Sequence, residues 1–199
     1  MKDNDYRLPA LAAFAAAVMI PLLWLADFSY AIVLGEDTFM DLLRRGVGVS
    51  DLLLLVAGAL TVFAYHGFRQ ALRERLAYRG LDLLLLGLMI MTGLFHGMAF
   101  LQALIAPIFS GEAVAFLALA LWVPFMVIFG ALDLLIAIIL LRDRKQLPDS
   151  LTVLAVLLLV LGLLEITVIF SLAALVLLPL TLVVLGLYLV REPEYLEVI

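Results

Sequence analysis

The sequence predicts an all-α integral membrane protein: six transmembrane helices in a single bundle, with both termini on the cytoplasmic side. Three observations carry this. Apolar residues make up 67% of the chain and charged residues 15%, against about half and about a quarter in a soluble domain. The apolar residues fall in runs long enough to cross a hydrocarbon core of about 30 Å, which takes roughly 20 helical residues. Lys and Arg gather in alternate connections, the pattern of cytoplasmic loops.

The first span covers residues 8–34. At about 1.5 Å per residue it reaches about 40 Å, so it tilts, kinks at Pro21 or emerges near Asp27. It is too long for the apolar core of a secretory signal and is read as a retained span. Residues 36–47 mix Phe39, Met40, Leu42, Leu43 and Val47 with Asp41, Arg44 and Arg45, the composition of a short helix lying along the interface. Span two is 51–68 and span three 81–105, closed by Pro107. Between them lies the most basic segment of the chain, with Arg69, Arg73, Arg75 and Arg79. Ser110, Gly111 and Glu112 turn the chain into span four, 113–141. A second basic connection holds Arg142, Arg144 and Lys145, and Pro148, Asp149 and Ser150 supply start signals for the next helix. The run 151–190 has no Lys, Arg or Asp. As one helix it would be about 60 Å long, twice the bilayer core, so it is read as spans 151–170 and 172–190 with a turn near Phe170 and Ser171.

Charge sidedness tests this arrangement. With both termini inside, Lys2, Arg7, Arg69, Arg73, Arg75, Arg79, Arg142, Arg144, Lys145 and Arg191 fall on the cytoplasmic side, and only Arg44 and Arg45 fall outside. Over short loops that asymmetry selects this orientation over its inverse. Trp24 and Trp122 fall in the outer half, and Tyr6, Tyr78 and Tyr195 near the inner surface, as interfacial aromatics do. The net charge of −5 is no partner signal, because the charges are segregated by side. There is no cysteine, which excludes disulfides, thiol redox chemistry and cysteine-ligated metal. A faint internal similarity relates the stretch from Asp51 to Gly67 to that from Asp82 to Gly97, with Thr61 and Thr92 corresponding; leucine-rich sequence also produces such matches by chance.

Ionisable side chains inside spans cost several kcal/mol to insert, so function is sought there first: at Asp27, His66, His96, Asp133 and Glu165. Counting along each helix places His96 and Glu165 about 22 Å from the inner edge, with Asp27 somewhat further out. These three, with Gln102 nearby, are candidates for an outer-half polar cluster in which a histidine and a carboxylate relay a proton. Asp133 lies about 12 Å below the inner surface, in the layer of His66. The bland alternative is a set of hydrated interfacial groups. A bis-histidine haem is disfavoured, because His66 and His96 stand roughly 15 Å apart along the membrane normal and axial ligands must meet on one iron. No metal-ligand spacing is present, so no metal is expected and the cofactor is left open. Gly93 and Gly97 form a GxxxG element, and Ala12 with Ala16 and Ala13 with Ala17 are small-residue pairs. All are candidates for close helix packing, within the chain more than between chains.

No glycine-rich phosphate loop, HExxH or GxSxG is present, and the loops are too short for a soluble catalytic domain. Three functional readings follow. The first is a non-catalytic membrane subunit or scaffold that packs with other membrane chains or with itself. The second is a small transporter or proton-coupled carrier using Asp133, Glu165, Asp27 and His96, with His66 as a further pathway candidate. The third is a redox or lipid-modifying enzyme with a cofactor near His96. The lipid bilayer is the common partner of all three, and no nucleic-acid partner is expected.

Overall fold

A computed structural model describes residues 6–34, 46–167 and 170–191, with side chains throughout except at 27–34 and 171–172. The anticipated interfacial helix, 36–47, lies outside the described residues but for its last two positions. The described chain is helical: α1 (Arg7–Leu34), α2 (Val49–Arg75), α3 (Asp82–Ile105), α4 (Gly111–Arg142), α5 (Asp149–Ile166) and α6 (Ser171–Val190), with single 3-10 turns at Ala106–Ile108 and Arg144–Gln146. Six helices among the described residues are long and apolar enough to cross a membrane. Their outer faces are apolar too: Leu11, Phe116 and Val176 are 61, 75 and 68% exposed. An apolar exterior of this extent is what a lipid environment accommodates and water does not.

Each helix packs against the next in sequence, and α6 returns to α1, closing a ring in which α2 and α6 also touch. Ala10, Ala12, Ala13, Ala16 and Ala17 are buried on α1, so the alanine pairs do serve close packing within the fold. The helix ends have local causes. The Asp51 carboxylate accepts from the Gly48 amide at 2.7 Å at the start of α2, half of a capping box. The Ser110 hydroxyl accepts from the Ala113 amide at the start of α4. α2 runs past the anticipated end at Phe68 to Arg75, because its arginines find partners at the rim: Arg69 and Arg73 both bond Asp82, at 3.2 and 2.6 Å. α5 ends at Ile166, short of the anticipated residue 170. There the Thr167 hydroxyl donates to the Leu164 carbonyl at 2.8 Å, a local bond that competes with helix continuation.

One end of the bundle is tied by polar bonds. The Tyr6 hydroxyl donates to Glu74 at 2.6 Å, and Tyr78 donates to Asp143 at 2.7 Å, joining the α2–α3 and α4–α5 connections. Arg75 donates to the Tyr188, Leu189 and Arg191 carbonyls at the end of α6 and stacks on the Tyr6 ring at 4.6 Å. Those carbonyls have no partner within their own helix, so a guanidinium from the neighbour satisfies them. Every described Lys and Arg lies toward this end. The loop between α2 and α3 is set by Ala77, left-handed at φ 51°, which returns the Tyr78 amide to the Leu72 carbonyl.

Candidate functional site: a buried carboxyl pair

A backbone-to-backbone helix approach builds the site. A Cβ on Gly130 of α4 would stand 2.6 Å from the Gly162 carbonyl oxygen of α5, and a Cβ on Gly162 would stand 2.7 Å from the Gly130 carbonyl oxygen. The two backbones are therefore in contact, which only glycine permits on both sides. Each glycine is followed three residues later by an acid: Asp133 after Gly130 and Glu165 after Gly162. The helices run in opposite directions, so the two acids leave the crossing on opposite sides. Helical side chains lean back toward their own N-terminus, and both carboxyl groups thereby converge on the crossing.

Asp133 is 3% exposed and Glu165 7%. Their carboxyl groups lie within electrostatic reach of one another, and the buried Tyr65 of α2 reaches both. Asp133 Oδ1 and Glu165 Oε2 have no hydrogen-bond partner among the described residues. Neither carboxyl has a salt bridge among them; the ion pairs there involve Asp82 and Asp143 at the polar end. Beside Tyr65 a small cavity with room for about one water is lined by Phe68, Leu88, Ile136, Leu158 and Thr181 among others.

The other sequence candidates are placed elsewhere. His96 is partly buried on the α2–α3 seam, where a Cβ on Gly58 would stand 2.4 Å from its Cγ. Its Nδ1 lies 2.9 Å from the Thr92 carbonyl, a bond that requires the proton on Nδ1. Phe95 meets its ring edge-on at 5.3 Å. Glu165 lies within electrostatic reach of Asp133, while no hydrogen bond joins His96 to Glu165 or His66 to Asp133 among the described residues. The heights counted from the sequence carry no information on azimuth, and the glycine crossing sets the azimuth. His66 is exposed on the outer side of α2. The side chain of Asp27 lies outside the described residues. No group of three metal-ligating side chains exists among the described residues.

Gly93 and Gly97 correct the packing expectation. A Cβ at either would meet nothing within 4 Å, so this GxxxG face makes no close contact among the described residues. The glycines that bring elements together are Gly58, Gly67, Gly130, Gly162 and Gly186, against His96, Pro9, each other and Phe14. α3 meets α4 through bulkier groups, with Phe95 5.4 Å from Phe125 and 5.9 Å from Phe129.

Sequence reasoning missed Tyr65 and the two glycines. The available signal was the spacing Gly-x-x-Asp and Gly-x-x-Glu on consecutive helices, which pairs a close-approach residue with an acid one turn on. No family model, curated protein or solved structure matches the chain.

Proposed function

We propose that the protein is a small proton-coupled membrane carrier whose coupling proton is held between Asp133 and Glu165, with the polar, basic end of the bundle and both termini at the cytoplasmic face. One observation carries the reading: two buried carboxyl groups lie within electrostatic reach of each other in the core of an apolar bundle, with no cation beside them among the described residues. Two like charges within electrostatic reach repel, and more strongly away from water. Burying either unpaired costs several kcal/mol more. A proton shared by the pair removes both penalties, as in other carboxyl dyads. Unpartnered oxygens are what an exchangeable proton needs, since a structural acid pair gains by closing every bond. The orientation is supported by the distribution of Lys and Arg.

The test is infrared spectroscopy of the protein reconstituted in lipid, during titration. A protonated carboxyl C=O band is expected at neutral pH, shifted in Asp133→Asn and in Glu165→Gln and lost when both are substituted, while Asp51→Asn leaves it intact. A spectrum without such a band, or a band that survives the double substitution, overturns the reading.

A second reading, a membrane subunit that associates with another chain, is favoured by the open Gly93 and Gly97 face of α3. Close approach of an outside helix needs such a surface.

A further inference from the structure

Two connections at the polar end carry cations that the fold leaves uncommitted. Arg69 and Arg73 are taken by Asp82, Arg75 by the carbonyls of α6 and Arg142 by Asp143 at 2.9 Å. Arg79, between α2 and α3, and Arg144 and Lys145, between α4 and α5, are exposed. The ion pairs among the described residues leave all three out. The bond from the Tyr78 hydroxyl to Asp143 at 2.7 Å brings the two connections together. Arg79 and Arg144 each follow one of the bonded residues directly, about 3.8 Å along the backbone.

Both backbones are fixed where these cations stand. Ala77 is left-handed and returns the Tyr78 amide to the Leu72 carbonyl. A Cβ on Gly80 would stand 3.0 Å from the Tyr78 hydroxyl oxygen, so the ring folds back over its own loop. In the other connection Arg144–Gln146 is a 3-10 turn, the Gln146 amide donates to the Asp143 carbonyl at 2.9 Å, and Leu147 is buried just beyond it. Asp149, the acid that follows, stands in the first turn of α5, where the helix dipole already favours a carboxylate. α3 begins at Asp82 and α4 ends at Arg142, so the cations stand at the same end of both helices. Within about a turn of that end both helices present apolar surface, with Leu83 79% and Ile138 54% exposed.

We propose that Arg79, Arg144 and Lys145 form a binding site for the phosphate of an anionic phospholipid in the leaflet at the basic end, held together by the Tyr78–Asp143 bond. Arginine meets a phosphate through paired N–H bonds, and lysine adds a point charge. The acyl chains lie along the surface that includes Leu83 and Ile138. A free anion would meet the same cations, but only a lipid also gains from that surface. Loop cations of any geometry suffice to set orientation. Cations on a fixed backbone lose less freedom on binding, which favours a defined headgroup over diffuse attraction.

Native mass spectrometry of the delipidated full chain in detergent, with phosphatidylglycerol or phosphatidylcholine added, tests the site. Phosphatidylglycerol is expected to be retained in preference, and Arg79→Gln and Arg144→Gln each to weaken its binding by about fivefold. Arg191→Gln removes the same charge at the same end but outside the two connections, and should cost less. Tyr78→Phe removes no charge and is nevertheless expected to weaken binding. The arginine variants alter exposed, unpaired side chains and carry the test if Tyr78→Phe does not fold. Equal retention of the two lipids, or equal losses in Arg191→Gln and Arg79→Gln, would overturn the site in favour of general surface charge. Unchanged affinity in a folded Tyr78→Phe would overturn the role of the bond. Displacement of the lipid by an equal concentration of inorganic phosphate, or an acidic polypeptide that co-purifies and is lost in Arg79→Gln, would overturn the lipid as the ligand.

Discussion

At Gly130 and Gly162 the absent side chain lets two helix backbones touch beside the two buried carboxyl groups. A methyl at either position must push against backbone rather than against a side chain that can rotate away. Overpacking of that kind typically costs about 1–3 kcal/mol. Gly162→Ala is therefore expected to lower the unfolding temperature in detergent and to perturb the carboxyl band. Gly97→Leu, whose added atoms enter open space, should stay within about 0.5 kcal/mol of the unsubstituted protein. Equal stability for the two variants would show that the glycine crossing is not a tight contact. If Gly97→Leu also abolishes a cross-linkable dimer or co-purifying chain, the subunit reading gains. Thr61 and Thr92, the corresponding positions of the faint internal similarity, both donate back to the carbonyl four residues earlier, at 2.9 and 2.8 Å. That bonding is common for buried helical threonine and does not establish duplication.

Between elements, the bond from Tyr78 to Asp143 links two connections that otherwise meet only through their helices. Burial, and then donation to Asp143, pushes the Tyr78 phenol up to about 12. The Arg142 guanidinium first, and Tyr78 second, hold the Asp143 carboxyl below the usual carboxylate range. A carboxyl lowered on folding contributes stability above its unfolded value, near 3.9, and loses it as pH falls through the lower folded value. A phenol raised on folding contributes below its unfolded value, near 10, and loses that contribution as pH rises through about 12. Tyr78→Phe should accordingly lower the unfolding temperature at neutral pH. The difference from the unsubstituted protein should shrink in acid, once Asp143 is protonated. A difference that persists unchanged at low pH would mean that the hydroxyl acts through packing rather than through Asp143. The same end carries the Arg75 cap on α6.

For the whole molecule, the described cations gathered at one end are the basis for the proposed orientation, with that end cytoplasmic. The chain has no cysteine, so single introduced cysteines report sidedness without background. Cysteine at Lys145 or Arg79 is expected to resist a membrane-impermeant maleimide applied to intact cells, and cysteine at Glu112 to react. The reverse pattern would invert the topology and place the basic end outside.

Much of this architecture was legible in one dimension, because its causes are local. A run of apolar residues matched to the thickness of the hydrocarbon core announces a helix. Asp51 and Ser110 announce two helix starts, and the basic connections announce an end of the bundle. Asp133 and Glu165 stood out for the same reason, as ionisable groups inside apolar runs. Their pairing did not, nor did the nearness of Tyr65, nor the idleness of Gly93 and Gly97 among the described residues. These helices are apolar on nearly every side, and toward lipid and toward a neighbour alike the favoured residue is apolar. No stripe therefore declares which face turns inward. Composition and charge alone determined that this is a six-helix membrane chain with a basic end. Only the tertiary structure decided which faces meet, because in an apolar solvent the choice rests on how closely two backbones approach, and that depends on where glycines on different helices come to the same level.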